Sequence, residues 1–203
     1  MKKLNRKNTE TEGPKSPMSL VEDGLLKYRT ALILVLLFLI GCAPPEQKRM
    51  VINQNEFLQC EASRMIQKEM VKLINDIRRS KRRCGYKKYP VCGPVRWNLK
   101  LTRAALMHSM DMAKHDMLSH TGSGGSDVGE RVEKMGYKWR SVGENISAGR
   151  ETSEQVVLGW LESPGHCANM MNPGFTEIGA ACFRNKSSRY GTYWTLVLAS
   201  PTP

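Results

Sequence analysis

The chain has 203 residues and a formal net charge of +12, with a pI of about 9.6. A chain of this length has room for one domain plus a leader. The charge favours anionic partners such as phospholipid headgroups or envelope polymers; nucleic acid is not expected, because no nucleic-acid motif accompanies the high pI.

At the N-terminus, Lys27 and Arg29 precede the wholly apolar run A-L-I-L-V-L-L-F-L-I-G at residues 31–41. This is a positive n-region followed by an h-region. As a helix the run spans only ~16 Å of a ~30 Å hydrocarbon core, too little for a stable transmembrane anchor. The segment ends L-I-G-C at residues 39–42, which resembles a bacterial lipobox. In such sequences the cysteine is acylated and the chain is cleaved just before it. Residues 1–41 are therefore read as a signal segment, with Met18 as an alternative start. Cys42 is read as the lipidated residue, with a tether through residue 60 and one domain over 61–203. Several acyl chains hold a protein firmly where one holds it marginally. Ala43 after the lipidated cysteine resembles the outer-membrane sorting class. The expected location is the cell envelope, lipid-anchored at an outer membrane or cell surface. Seven Lys/Arg and four Asp/Glu fall in residues 1–30 and no charge in 31–41, so +9 remains beyond the leader.

In the domain, residues 62–81 place Met65, Ile66, Met70, Leu73, Ile74 and Ile77 at spacings of three and four, which predicts an amphipathic helix. Its end runs into Arg78, Arg79, Lys81, Arg82, Arg83, Lys87 and Lys88, the densest charge cluster in the chain. The cluster is a candidate anionic-surface site, weighed against a solvated helix end favoured by its own dipole. Residues 94–98 read as a short extended piece and 101–117 as a second helix. A Gly/Ser loop follows at 120–126. Asp127 caps a short helix over 128–135, which Gly136 ends. Thr152 or Ser153 caps a helix over 154–162, and Pro164 starts another helical turn through 171. Residues 176–183 and 192–199 read as strands joined by a polar turn. Helices first and paired strands last predict an α+β sandwich.

Cysteines 60, 84, 92, 167 and 182 remain once Cys42 is set aside, and export places them where disulfides persist. A continuous first helix of ~30 Å separates Cys60 from Cys84 and excludes that pair. The favoured pairs are Cys84–Cys92, closing a short loop, and Cys167–Cys182, with Cys60 free. Cys60–Cys92 with Cys84 free is the alternative. No C-x-x-C pair supports a zinc ribbon or redox site. No G-x-S-x-G elbow supports an α/β-hydrolase, and neither Cys60 nor Cys84 shows a partner that would make it a nucleophile.

Four motifs occur in order: S-H-T-G at 119–122, G-E-N-I at 143–146, G-W-L-E-S-P-G-H-C-A-N-M-M-N-P-G-F-T-E-I-G at 159–179, and Y-W-T-L-V at 193–197. Together they resemble the bacterial branch of the CAP superfamily, which includes cysteine-rich secretory proteins, insect antigen five and plant pathogenesis-related proteins. The resemblance implies an α-β-α sandwich with a central antiparallel sheet between helical layers, and a cleft that in eukaryotic members gathers two His and two Glu. His120 matches the first His and Glu144 the first Glu. The second Glu position is Ser163, with Glu162 one residue early and thus rotated by about 100°. The second His position falls on Tyr193. His166 is typical of the bacterial branch.

Two imidazoles and a carboxylate from His120, His166 and Glu144 have the right chemistry for Zn²⁺, the one cofactor suggested, with water as a fourth ligand. His120 and Glu144 are also the candidate catalytic pair. The plainer reading makes Glu144 and Asn145 loop organisers and His166 a helix-start residue. His108, Asp111 and His115 share a helix face and are expected to form a polar stripe at the surface or cleft edge. Trp97, Trp139, Trp160 and Trp194 are core or cleft-wall candidates. The expected function is a non-enzymatic envelope lipoprotein whose cleft binds a ligand, metal or surface, the alternative being a metal-dependent, peptidase-like hydrolase. Expected partners are the membrane through its anchor and, because some members of the superfamily bind sterols and other lipids, a lipid, sterol or anionic polymer. A monomer is the expected state.

Overall fold

The computed structural model describes Cys60 and residues 63–203. The signal segment, Cys42 and the tether lie outside the described residues. The described part belongs to a single unit, residues 52–203, that carries its own core and both disulfides.

Among the described residues eleven elements follow in order: α1 (Ser63–Arg78), β1 (Arg82–Cys84), β2 (Lys87–Tyr89), β3 (Arg96–Trp97), α2 (Leu99–Lys114), α3 (Val128–Lys134), β4 (Trp139–Ala148), α4 (Ser153–Glu162), α5 (Pro164–Met170), β5 (Glu177–Asn185) and β6 (Gly191–Pro201). The main sheet has the order β3-β5-β6-β4. β5–β6 and β6–β4 are antiparallel, and the two-residue edge strand β3 runs parallel to β5.

Alternation along the strands explains why the sheet is covered twice. Ile178, Ala180 and Cys182 of β5, with Trp194, Leu196 and Leu198 of β6, face Ile66, Met70 and Ile74 of α1 and Val156, Val157 and Trp160 of α4. Ala181 of β5, with Val197 and Ala199 of β6, faces Leu101, Ala104 and Ala105 of α2 and Val132 of α3. The fold is thus the α-β-α sandwich that the motifs imply. Its helical layers meet the strands at close range. At Gly179 a Cβ atom would lie 2.2 Å from the Thr102 backbone nitrogen, so α2 seats its first turn directly on β5.

Three expectations are corrected. First, the disulfides are Cys60–Cys182 and Cys84–Cys167, and Cys92 is the free thiol. The residues around Cys84 form a hairpin, β1 against β2, turned at Gly85 with φ +58°. Pairing of Arg82 with Tyr89 puts Cys84 at the turn and Cys92 beyond the open end, on the order of 15 Å of extended chain away. A disulfide needs Cα atoms within about 7 Å. Buried Cys84 points inward instead and meets Cys167 on α5 with a Cα separation of 5.5 Å.

Second, Arg78 does not belong to the surface cluster. It is 1% exposed, and its guanidinium donates to the carbonyls of Gly93, Met170, Asn172 and Phe175 at 2.7–3.0 Å. It closes the end of α1 onto the loops before β3 and after α5, because guanidinium is the side chain that can satisfy several carbonyls at once.

Third, residues 139–148, which carry the G-E-N-I motif and no predicted element, form a ten-residue strand. Its polar positions Arg140, Ser141, Glu144, Asn145 and Ser147 obscure the alternation.

Candidate functional site

Glu144 lies on β4 opposite Val197 of β6, with only 6% of its surface exposed. A carboxylate this deep must be paired and hydrogen-bonded. Nδ1 of His120 donates to Oε1 at 2.8 Å, and Nη2 of Arg131 donates to Oε2 at 2.7 Å. Nε2 of His108 stands 3.8 Å from Oε1, beyond hydrogen-bond range. Three basic side chains thus surround one acid.

Each neighbour is placed by a local feature. Arg131 sits on α3, whose start is fixed by the capping box of Asp127 and Glu130. The same guanidinium also donates to the carbonyls of Ser126 and His120, so it binds the Gly/Ser loop to Glu144. Asp111 on α2 holds that loop from the other side, accepting from the backbone N–H and hydroxyl of Ser123. His108 is fully buried on α2, and its Nε2–H donates to the Ser119 carbonyl at 2.8 Å. Burial holds its pKa below the usual value, with the Glu144 charge working against that shift and Arg131 with it. Neutral, with Nε2 as donor, its Nδ1 is an acceptor; that atom is buried without a hydrogen-bond partner.

The expected surface stripe is therefore split. His108 is core, Asp111 ties down a loop, and only His115 is exposed at the end of α2, 3.0 Å from Asp111 Oδ1.

The opposite side of β4 reaches α5. Nδ2 of Asn145 donates to the His166 carbonyl at 3.0 Å, while Asn169 donates to Asn145 Oδ1 and to the Glu144 carbonyl. Asn145 thus joins a strand edge to the helix that carries His166. The His166 imidazole is half-buried. Burial lowers its pKa, and the charge of His120 lowers it further.

Tyr193 is elsewhere. It pairs with Ala148, four residues along from Glu144, and its hydroxyl donates to Asp116 at 2.7 Å. Ser163 ends α4 and begins α5, making no side-chain cap bond, and Glu162 is exposed. Trp160 and Trp194 are core residues, the first donating to the Ile146 carbonyl and the second to the Arg150 carbonyl. Trp97 and Trp139 are half-buried at the periphery.

Among the described residues, no three His, Cys, Asp or Glu side chains form a group that could hold a metal ion. The reason is visible at Glu144, whose two oxygens are taken by His120 and Arg131. A zinc ion bound by Glu144 would compete with the bond to His120 on one oxygen or to Arg131 on the other, so the three residues as arranged do not form a ready zinc site.

Sequence reasoning missed Arg131 and placed His108 on a surface or cleft-edge stripe instead of in the core. Both carried a signal. Val128, Arg131, Val132 and Met135 stand at i, i+3, i+4 and i+7, so a cation lies on the apolar face of a short helix. His108 likewise continues the stripe of Leu101, Ala104, Ala105 and Met112.

A family model described as the cysteine-rich secretory protein family, CAP, matches residues 71–198. Among curated proteins, the uncharacterised protein YkwD of Bacillus subtilis (strain 168) is 30% identical over 102 residues, which is 50% of this chain and 38% of YkwD. The uncharacterised membrane protein YlbC of the same organism is 28% identical over 90 residues, 44% of this chain and 26% of YlbC. The chain thus spans less than half the length of either relative. Among solved structures, an extracellular SCP-domain protein of Bacillus anthracis superposes with a TM-score of 0.56 at 24% identity, covering 68% of this chain and 41% of that one. An outer surface protein of Borrelia burgdorferi gives 0.55 at 15% identity, covering 68% and 92%. These two likenesses establish the fold.

Proposed function

Because the chain belongs to the cysteine-rich secretory protein (CAP) family, we propose that it is a cell-envelope lipoprotein, anchored through Cys42, whose cleft binds a ligand without turning it over. The observation that carries this reading is the commitment of Glu144. A general base needs a carboxylate free to take a proton. Glu144 is instead held by Arg131 on one oxygen and His120 on the other. Those bonds make it an orienting group for His120, whose side chain is 58% exposed. With Nδ1 fixed by Glu144, the imidazole presents Nε2 to the cleft as a recognition group. His166, on α5, supplies another imidazole, whose neutral form burial favours. The cleft is thus suited to a polar or lipid headgroup that hydrogen-bonds to two imidazoles.

The extracytoplasmic part of the proposal rests on the n-region, h-region and lipobox-like L-I-G-C, and on neighbours whose own descriptions place them outside the cell or on its surface. Among the described residues, no helix is long and apolar enough to cross a membrane.

The metal-dependent hydrolase is the second reading, and it rests on the exposed imidazole of His120 and the half-buried one of His166. Two imidazoles alone fall short of the three protein ligands usual for catalytic zinc. The test is native mass spectrometry of the full chain purified gently from the envelope of an expressing cell. The expected result is a bound small molecule, lost in His120→Ala, and an acylated N-terminal mass lost in Cys42→Ser. Protein with no bound molecule that cleaves a peptide library in a chelator-sensitive way would overturn the binding reading.

A further inference from the structure

We propose that the β1–β2 hairpin is a docking element for membranes bearing anionic phospholipid headgroups. From residue 77 to residue 110 the chain carries ten Lys and Arg and no Asp or Glu. The hairpin concentrates five of them: Lys81, Arg82, Arg83, Lys87 and Lys88. None of these five has an acidic partner among the described residues; the nearest acid, Asp76, is already engaged by Lys72 and Arg79.

The register sharpens the point. Arg83 lies directly across from Lys88. Like charges facing each other across an antiparallel pair are destabilising. A bridging anion removes that repulsion. Arg82, half-buried, has its Nε enclosed without a hydrogen-bond partner. Lys81, Arg82, Arg83, Lys88, Tyr89 and Pro90 line a shallow concavity of about 320 Å³, large enough for a phosphate group.

A lipid surface fits better than a soluble polyanion because of the tip. Tyr86 is fully exposed in the two-residue turn, and Val91 is more than half exposed beside the hairpin's open end. Aromatic rings favour the headgroup level of a bilayer. The hairpin itself is held rigid: buried Cys84 is bonded to Cys167, and Lys87 stacks over the Tyr89 ring with its Nζ 5.1 Å from the centroid. An anchor at Cys42, eighteen residues before Cys60, would confine the domain to within about 60 Å of the bilayer. Weak headgroup contacts then act at high effective concentration. Docking through the hairpin is nonetheless independent of the anchor and of the cleft.

The test is flotation of disulfide-intact residues 43–203 with phosphatidylcholine vesicles, with and without phosphatidylglycerol. This piece contains the whole unit with its own core and both disulfides. Binding only to the phosphatidylglycerol vesicles is expected, and its loss as salt is raised to about 1 M, where screening acts within about 3 Å. Arg83→Ser with Lys88→Ser should weaken binding at least tenfold, at roughly fivefold per removed cation. Tyr86→Ser should weaken it while leaving the salt dependence unchanged. These residues are exposed, so circular dichroism should report an intact fold in all variants. No binding to anionic vesicles, binding undiminished in the double variant, or binding to inorganic polyphosphate but not to vesicles would each overturn the proposal.

Discussion

At Glu144, removal of Arg131 would strand a buried carboxylate with His120 as its one hydrogen-bonded partner. Breaking a buried pair from one side costs about 3–5 kcal/mol. Arg131→Ala should therefore lower the stability measured by urea unfolding by about 3 kcal/mol. Arg131→Ala combined with Glu144→Gln should recover part of it, since no charge is then left unpaired. His108 gives a pH signature. Its pKa in the fold is depressed by burial, so the unfolded chain takes up the proton first as pH falls. The stability that neutral His108 contributes is complete above an unfolded pKa of about 6.5 and is lost as pH falls toward its folded value. His166 acts in the same direction. Unfolding midpoints should decline from about pH 7.5 to about pH 5, and His108→Gln should flatten that decline. His120 and Glu144 were legible because the motifs carry them. Arg131 was not, because its role depends on α3 folding back over β4, a contact no local spacing encodes.

Among the elements, the helices were the most legible, since their apolar stripes and caps are written locally: Asn98, Asp127 and Thr152 each accept backbone N–H bonds at a helix start. Strand β4 was not, because polar Glu144 and Asn145 occupy buried positions in it and its neighbour β6 is more than 40 residues away in the chain. The end of α1 illustrates another limit. A run of basic residues reads as solvated surface, yet Arg78 faces inward because the loops after β2 and α5 turn four carbonyls toward it, of which only that of Asn172 also accepts a backbone N–H, from Phe175. Arg78→Met keeps the stem's bulk but strands those carbonyls, and should cost about 3 kcal/mol in urea unfolding. Gly179→Ala, where the added carbon would meet the first turn of α2, should cost a similar amount, about 3 kcal/mol. The same substitution at exposed Gly124, whose Cβ would meet nothing within 4 Å, should be nearly silent.

Across the whole molecule, the two disulfides tie opposite ends of the chain into one core. Cys60 and Cys182 are 122 residues apart, and Cys84 and Cys167 are 83 apart. By the chain-entropy estimate each, taken alone, contributes about 5 kcal/mol. Peptide mapping of the non-reduced protein should recover these two pairs, with alkylation at Cys92 alone. Recovery of Cys84–Cys92 would contradict the hairpin. The fold as a whole was legible because four motifs in order specify it, while the pairing of cysteines depended on the hairpin turn at Gly85. The cleft's chemistry depends on Glu144 being spent on Arg131 and His120, and zinc reports on that directly. The deciding measurement is calorimetric titration of zinc into residues 43–203, beside His120→Ala and His166→Ala. Heat corresponding to no better than millimolar affinity, unchanged in both variants, is the predicted result. Micromolar or tighter binding lost in both variants would contradict it and return the cleft to metal-dependent hydrolysis.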